Sequence, residues 1–500
     1  MNKKIKHIIF AFLLCIPIQI FSQEKADNKF SSYPGRQNLL DKIVETDNDP
    51  IFENATWSII VNEAKSGKNI AKFNENKSLI PASLMKAITT GVGYWQLGAN
   101  FTFDTKFEYS GEITQDSILN GNLYIVGGAD PTLCCFLWKN TNPDTLFYKW
   151  TKLLKEKGIS KITGKIIADI SMFDDLTIPG TWQWSDIGNY YGASSTPLMF
   201  NENLINIWFS SSDSIGVKAQ IDSIYPKMPW ITLVNYVQSA ANNTGDNVCV
   251  YSQPNGTNIL LKGTIPAGKS AFKVKAANTK PDYTLLWNFN NYLNENGIKT
   301  SNYFSEVTFR DIPDTNVKRK LLFVNKSPSY NAIASHTNKY SHNTFAEIIL
   351  KTLGYRRSGV GSFYSGTKAI DFALANKGIS TKGFINVDGS GLSRNNLVTT
   401  SMICNYLSAM TKSYAFNSFY LSLSEAGSSG TLSWMMKGTS AAKNLRAKSG
   451  SLEQIKSYGG YVKCTNGNLL CFSIIVNNYS CSSLLINKKI EELMVAISNL

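Results

Sequence analysis

Ser83 and Lys86 stand three residues apart in Ser83-Leu84-Met85-Lys86. A serine hydroxyl is a poor nucleophile until a neighbouring base takes its proton, and a neutral lysine amine can be that base. On a helix, residues i and i+3 share a face, so the amine can reach the hydroxyl. Two further strings hold complementary groups: Ser341-His342-Asn343 and Lys448-Ser449-Gly450. Ser341 can relay a proton to a leaving amine, and Asn343 can hold a substrate amide. Burial and a nearby cation both lower an amine's pKa, and Lys448 can be the cation beside Lys86. Lys448 and Ser449 can bind a substrate carboxylate, and Gly450 lets a substrate backbone approach closely. The Ser451 N–H can join the Ser83 N–H as an oxyanion donor. Each string alone has an ordinary alternative as a helix cap, a solvated lysine or a strand end. Ser270, Ser365 and Ser440 also begin an S-x-x-K, so that string recurs by chance. The signal lies in the order and setting of all three.

The elements that must position these groups are legible around them. Trp57–Asn62 and Asn69–Asn74 read as two strands of a hairpin around Ala64-Lys65-Ser66-Gly67-Lys68. Pro81 precedes Ala82–Leu97, where Leu84, Ile88, Val92 and Trp95 follow helical spacing, so Ser83 falls in a first helical turn. There its backbone N–H sits at the positive end of the helix dipole. Ser341 and Asn343 precede a helical segment, Thr344–Leu353. Arg446–Ser451 reads as an edge strand lining a cleft. Tyr458–Lys463 and Leu469–Val476 flank Thr465-Asn466-Gly467-Asn468, a hairpin turn. Leu484–Leu500 and Thr399–Met410 read as helices. Strands near both ends of the chain predict one sheet built from its two extremes. Between Phe101 and about Leu322, short β-like runs dominate: Leu123–Val126, Ile162–Asp169, Trp230–Val234, Leu260–Ile265 and Ala271–Val274. The expected organisation is a first domain part at 24–104, an inserted, mainly β region at 105–322 with two subdomains, and a second domain part at 323–500.

Composition narrows the class. Five hundred residues at 43% hydrophobic content suffice for several globular cores. Residues 1–22 combine a basic start, an apolar run from Ile8 to Phe21 and a small residue at Ser22, the pattern of a cleaved secretory signal. An exported, periplasmic location follows. Removing Lys3, Lys4 and Lys6 lowers the formal charge from +14 to +11. A basic exported surface suits an acidic polymer such as a cell wall, and no nucleic-acid motif is present. Only His7, His336 and His342 are histidines. A His-based zinc site or a Ser-His-Asp triad has little material, which favours lysine as the base. Eight cysteines, one of them in the signal, leave an odd number, and buried free thiols are expected.

Together the three strings resemble the D-Ala-D-Ala carboxypeptidases of the penicillin-binding protein 4 type, peptidase family S13. The match extends to Gly121-Asn122-Leu123-Tyr124-Ile125-Val126-Gly127-Gly128-Ala129-Asp130-Pro131-Thr132-Leu133. It also takes in Asp388-Gly389-Ser390-Gly391-Leu392-Ser393-Arg394 with Asn396, Asn338-Lys339, and Gly427 with Gly430-Thr431-Leu432. Ser83 and Ser341 lie 258 positions apart (341 minus 83), room for a large insertion that class A β-lactamases lack. The resemblance implies an α/β (α+β) fold: a β-lactamase/transpeptidase-like domain, its antiparallel sheet flanked by helices, interrupted by a two-part, mainly β insertion. It implies acylation of Ser83 by a peptidoglycan stem peptide, loss of terminal D-Ala, and hydrolysis of the acyl-enzyme. Cleavage of D-Ala cross-links and slow-releasing acylation by β-lactams are implied too, with no metal or organic cofactor. Asp169 and Phe173 match insertion residues that face the stem-peptide side chain, where Asp169 would suit a free amine. Arg394 matches a cleft arginine.

Two positions depart from the pattern. Position 342 is His where the family usually has Asp, which alters local charge because His titrates near neutrality. Position 449 is Ser rather than the commoner Thr, which keeps the hydroxyl. A β-lactamase on the same scaffold is the alternative activity, but it needs an added base to position water, and the sequence offers none. A non-catalytic wall-binding homologue is a third reading, opposed by the intact Ser83, Lys86, Ser341, Asn343 and Lys448.

Overall fold

The computed structural model describes residues 33–308, 310–311 and 317–500. The expected signal peptide at residues 1–22 lies outside the described residues.

Both extremes of the chain meet in one six-stranded antiparallel sheet. Its order is Ser424–Glu425, Leu445–Leu452, Ile455–Lys463, Leu469–Asn477, Thr56–Glu63, Asn69–Phe73. Period-two alternation sends the side chains of Thr56–Glu63 into two cores. Trp57, Ile59 and Val61 join Phe472, Ile474 and Val476 beneath helices Arg36–Asp47 and Ser483–Ser498. Ile60 and Ile475 face the other core, with helices Met85–Gln96 and Thr400–Thr411. The expected 465–468 turn closes with Cys464 N donating to Asn468 O at 3.0 Å and Gly467 at φ +86°. Ser482 and Thr399 cap their helices, accepting from Leu485 N and Met402 N. All seven cysteines among the described residues are free.

A second sheet has the order Phe304–Val307, Ile166–Asp169, Leu123–Val126, Asp104–Tyr109, Lys320–Lys326. The chain leaves and re-enters through its last two strands, which pair antiparallel. The boundaries expected at 104/105 and 322/323 fall inside that pair. The mainly β texture of this region is interrupted by two long helices, Pro143–Glu156 and Pro281–Glu295. Each starts on a proline, whose missing N–H is unneeded in a first turn. Their buried Phe147, Trp150 and Leu154, and Leu285, Phe289 and Leu293, follow helical spacing. Trp150 and Phe289 meet edge to face at 5.3 Å, with Phe107 of the sheet beside both. Ile162–Asp169 is not one strand but two, Lys161–Ile162 and Ile166–Asp169. Gly164 between them packs against the Gly121 carbonyl and has no room for a side chain. Residues 204–277 form two three-stranded sheets around a core of their own, including Ile207, Phe209, Val237, Val250, Ile259 and Leu261.

Candidate active site

Ser83 lies in a 3-10 turn, Ala82–Leu84, that runs straight into the Met85–Gln96 helix. The turn is tight: Ala82 takes φ +47°, a conformation that L-residues adopt at a cost. Neighbouring elements hold it there. Ser457 Oγ donates to Pro81 O, and Gly391 packs so closely that a Cβ would come within 1.8 Å of Ala82 O. Lys86 is fully buried, with its Nζ 2.7 Å from both Ser83 Oγ and Ser390 O. Burial lowers the Lys86 amine to about 7, while the nearby Glu347 and Asp388 pull it upward. Burial is the main cause at Lys86, and the repulsion expected between the two ammoniums shows at Lys448, which is pushed well down by burial and then by Lys86.

Lys448 sits on the Leu445–Leu452 strand. The two-residue strand Ser424–Glu425 pairs only with Ala447 and Arg446. From Lys448 onward that side of the strand is an open edge of the sheet. Lys448 Nζ donates to Ser341 Oγ at 3.0 Å and to Ser449 O at 2.6 Å. Ser449 Oγ donates to Thr431 Oγ1 at 2.7 Å. Ser451 is exposed, and its Oγ accepts from Lys456 Nζ at 2.7 Å. The room left by Gly450 is taken by protein rather than by open cleft. A Cβ there would come within 2.2 Å of Ser457 Oγ and 2.5 Å of Pro81 O. Gly450 thus lets the strand press against the Ser83 turn.

Ser341 is the left-handed C-cap (φ 58°) of helix Tyr330–Tyr340, and His342 is the N-cap of helix Asn343–Ser358. The sharp corner between the helices puts Ser341 Oγ on Lys448. Asn343 Nδ2 donates to Tyr191 O at 2.8 Å, and His342 Nε2 lies 2.8 Å from Glu202 Oε2. Burial alone would raise Glu202, but the hydrogen bond and charge of His342, with Lys275 and His336, leave it below its usual value. His336, its ring tilted against His342 at 5.7 Å, is held down to about 4, chiefly by burial. Ser83 with Lys86 and Ser341 with Lys448 are two hydrogen-bonded pairs, and the amine of the first depresses that of the second.

A model of the D-Ala-D-Ala carboxypeptidase 3 (S13) family matches residues 39–499. The chain belongs to that family. It is a serine-type carboxypeptidase, a hydrolase, as S13 membership and its relatives together establish. The D-alanyl-D-alanine carboxypeptidase of Actinomadura sp. (strain R39) is 27% identical over 455 residues, 88% of this chain and 80% of the relative. The D-alanyl-D-alanine carboxypeptidase DacB of Haemophilus influenzae is 25% identical over 463 residues, 87% of this chain and 91% of the relative. The crystal structure of penicillin binding protein 4 from Haemophilus influenzae superposes with a TM-score of 0.76 at 23% identity. It covers 93% of this chain and 98% of that one, and it shows the shared fold.

The S13 scaffold holds the Lys86 partner loop with Asp388 and Asn396 of the expected string and with Glu347 and Trp182, which the sequence did not announce. The Asp388 carboxylate accepts from Gly391 N, Ser393 N, Asn396 Nδ2 and Trp182 Nε1, all within 2.9 Å. Glu347, one turn into its helix, accepts from Gly389 N at 2.7 Å and Ser390 N at 2.8 Å. Burial and Asp388 together push Glu347 up to about 8. Burial likewise raises Asp388, against its four donors. Only one signal marks Glu347 in the sequence, an acid interrupting the apolar run of Phe345–Leu353.

Asp169, Phe173 and Arg394, the expected subsite residues, have their partners outside the Ser83–Lys86 and Ser341–Lys448 pairs. Asp169 accepts from Arg319 Nη1 at 2.5 Å and from Ser171 N and Oγ. Arg319 in turn stacks over Tyr124 at 4.1 Å. Phe173 is buried, with Lys351 Nζ 5.0 Å from its ring and Gly361 against its edge. Arg394 reaches Glu453 O at 3.2 Å, and its charge is felt at Asp186. Ile178, Trp182 and Leu392 pack together with Tyr191 and Leu452, so the segment before Asn343's partner joins the loop after Asp388.

Proposed function

We propose that this S13 carboxypeptidase removes terminal D-Ala from peptidoglycan stem peptides through an acyl-enzyme on Ser83. The observation carrying this reading is Lys86 Nζ at 2.7 Å from Ser83 Oγ, with the amine brought to about 7 by burial. At neutral pH a large share of Lys86 is then a free amine within reach of the serine proton. Ser83 attacks the penultimate D-Ala carbonyl, and Lys86 takes its proton. The Ser83 and Ser451 N–H groups receive the oxyanion. Lys448, Ser449 and Thr431 bind the terminal carboxylate, whose charge offsets the burial that depresses Lys448. Ser341, bonded to Lys448, passes its proton to the departing D-Ala amine and is reprotonated by the proton that Lys86 took from Ser83, and Asn343 holds the peptide amide. Water then releases the acyl group. Asp169, Phe173 and Arg394 border the stem-peptide side chain.

The same attack on the D-Ala carbonyl of a cross-link makes the enzyme an endopeptidase. Benzylpenicillin and other β-lactams acylate Ser83 as mimics of the D-Ala-D-Ala end. A Dictyostelium discoideum relative, 26% identical over 459 residues, is named penicillin-sensitive carboxypeptidase A. An exported location, expected from residues 1–22, fits a cell-wall substrate. The test is intact mass after incubation with benzylpenicillin. A lasting one-drug adduct in the wild type, absent in Ser83→Ala, is the expected result. A brief adduct with fast drug loss would instead indicate a β-lactamase, and no adduct would sink the assigned nucleophile.

A further inference from the structure

The corner that carries Ser341 and Asn343 is tied down from outside its own helices. Asn343 Nδ2 holds Tyr191 O, Thr344 Oγ1 lies 3.4 Å from Ala193 O, and His342 Nε2 meets Glu202 Oε2 at 2.8 Å. Glu202 is presented by an unusual backbone. Asn201, Glu202 and Asn203 are three successive left-handed residues, with φ of 52°, 59° and 56°. Asparagine tolerates that region because its side chain bonds locally, and both do so here. Asn201 Nδ2 donates to Leu204 O, Asn203 Nδ2 to Ser194 O, and Phe200 N donates to Asn203 Oδ1. Glu202 has no such local bond among those described. A strained residue of this kind persists where its surroundings over-determine it and is a pointer to function.

The other end of the contact is equally determined. The His342 ring stacks on Phe345 at 4.0 Å, and its Nδ1 accepts from Phe345 N at 3.4 Å. With Nδ1 accepting, the ring proton is assigned to Nε2, where it points at the Glu202 carboxylate. Both side chains are about 15% exposed, so water competes weakly for the bond. His342 sits between the two groups that the proposed function uses.

We propose that Glu202 is a positioning residue: through His342 it fixes the turn that presents Ser341 and Asn343 to the cleft. This rests on the reading that Ser341 and Asn343 serve the Ser83 chemistry. The pair also sets the charge that position 342 can carry. Aspartate there, the residue that the S13 resemblance leads one to expect, removes the donor from Glu202 and adds a second carboxylate beside it. Like charges at close range disfavour each other. In this chain the aspartate is therefore harmful, and neutralising Glu202 repairs the damage.

The experiment measures the rate of benzylpenicillin acylation and D-Ala release for the wild type, Glu202→Gln, Glu202→Ala, His342→Asp and the double variant His342→Asp/Glu202→Gln. Losing a hydrogen bond to a charged group corresponds to about a 10- to 100-fold effect. Glu202→Ala and His342→Asp should each lower acylation within that range. The double variant should recover to within about threefold of wild type, because a glutamine amide can donate to the introduced carboxylate. A purely structural role would not give that rescue. His342→Asp at wild-type rate, or no rescue by Glu202→Gln, would overturn the proposal. Amide exchange across residues 340–346 is read in parallel and does not depend on turnover. Faster exchange in Glu202→Ala supports the tether, and unchanged exchange refutes it. A wild type that is never acylated would count against the Ser83 reading alone, since the exchange result still decides the tether.

Discussion

Lys86 and Lys448 are both fully buried amines, the first depressing the second, yet their surroundings differ in kind. Lys86 has two carboxylates near it, Glu347 and Asp388, which pull its pKa up against burial and leave it at about 7. Lys448 has a serine hydroxyl, a backbone carbonyl and another amine, and nothing counters its downward shift. The protein thus poises one amine between its two protonation states and leaves the other lacking an anion. In the proposed mechanism a substrate carboxylate supplies what Lys448 lacks, so its positive charge is completed by the ligand. That reading gives the first lysine to proton transfer and the second to recognition.

Replacing each amine by an apolar chain of similar length breaks this comparison most sharply. Lys86→Met should lower D-Ala release by about 10³-fold or more in kcat, as for loss of a group on the reacting proton. Lys448→Met should cost about 10²-fold, mostly through KM, if its task is to bind the carboxylate. Both variants should melt higher than wild type, because each removes a buried amine whose charged form the fold disfavours. Steady-state kinetics and thermal unfolding read all three numbers. Equal kcat effects with unchanged KM would erase the distinction.

Glu347 tests how Lys86 is held. Its two oxygens take the N–H groups of Gly389 and Ser390, and the Ser390 carbonyl takes Lys86. Glu347→Ala leaves two buried donors unpaired, at about 1–3 kcal/mol each. Chemical unfolding should register that loss, together with a fall in acylation rate as the Ser390 carbonyl drifts. Glu347→Gln keeps one acceptor and should fall between the two. Full activity in Glu347→Ala would show that Lys86 needs no such loop.

The pH profile follows from Lys86 itself. In the proposed mechanism the neutral amine is the base, and its folded-state pKa is depressed to about 7 from 10.5. The base form is therefore present above pH 7 and is lost as pH falls through 7. kcat/KM should drop about tenfold per pH unit below that point, the slope of a single titrating group. A profile flat from pH 5 to 8 would mean that Lys86 is not the base.

How much of this is visible in the sequence depends on range. The Ser83 turn, the 455–477 hairpin and the terminal helix rest on local periodicity and turn chemistry, and they are where the sequence puts them. The two helices inside the β-rich region are hidden because Gly, Asn and Ser punctuation outweighs the Phe147-Trp150-Leu154 and Leu285-Phe289-Leu293 spacing. The contacts that tune the site are long-range. Glu347 meets residues more than 40 positions away, and Glu202 meets His342 across 140. Nothing local distinguishes either acid from a solvated one. Gly450 is needed for a different reason than the sequence suggests: the backbone it admits belongs to Pro81.

The smallest effect separates two readings of Asp169. A free amine on the stem peptide is the expected partner, but the carboxylate already holds a guanidinium, Arg319 Nη1 at 2.5 Å, with Ser171 on its other oxygen. A substrate amine must therefore compete with a pair whose guanidinium is 27% exposed and whose carboxylate is 8% exposed. Arg319→Ala should raise kcat/KM for peptides with a free side-chain amine. The same peptide with its amine acetylated should be unaffected. Tyr124 loses its cation–π neighbour in this variant, so a small drop in melting temperature is expected alongside. Equal responses from free and acetylated peptides would assign Asp169 to holding Arg319 in place, and the stem-peptide side chain would then be read elsewhere in the cleft.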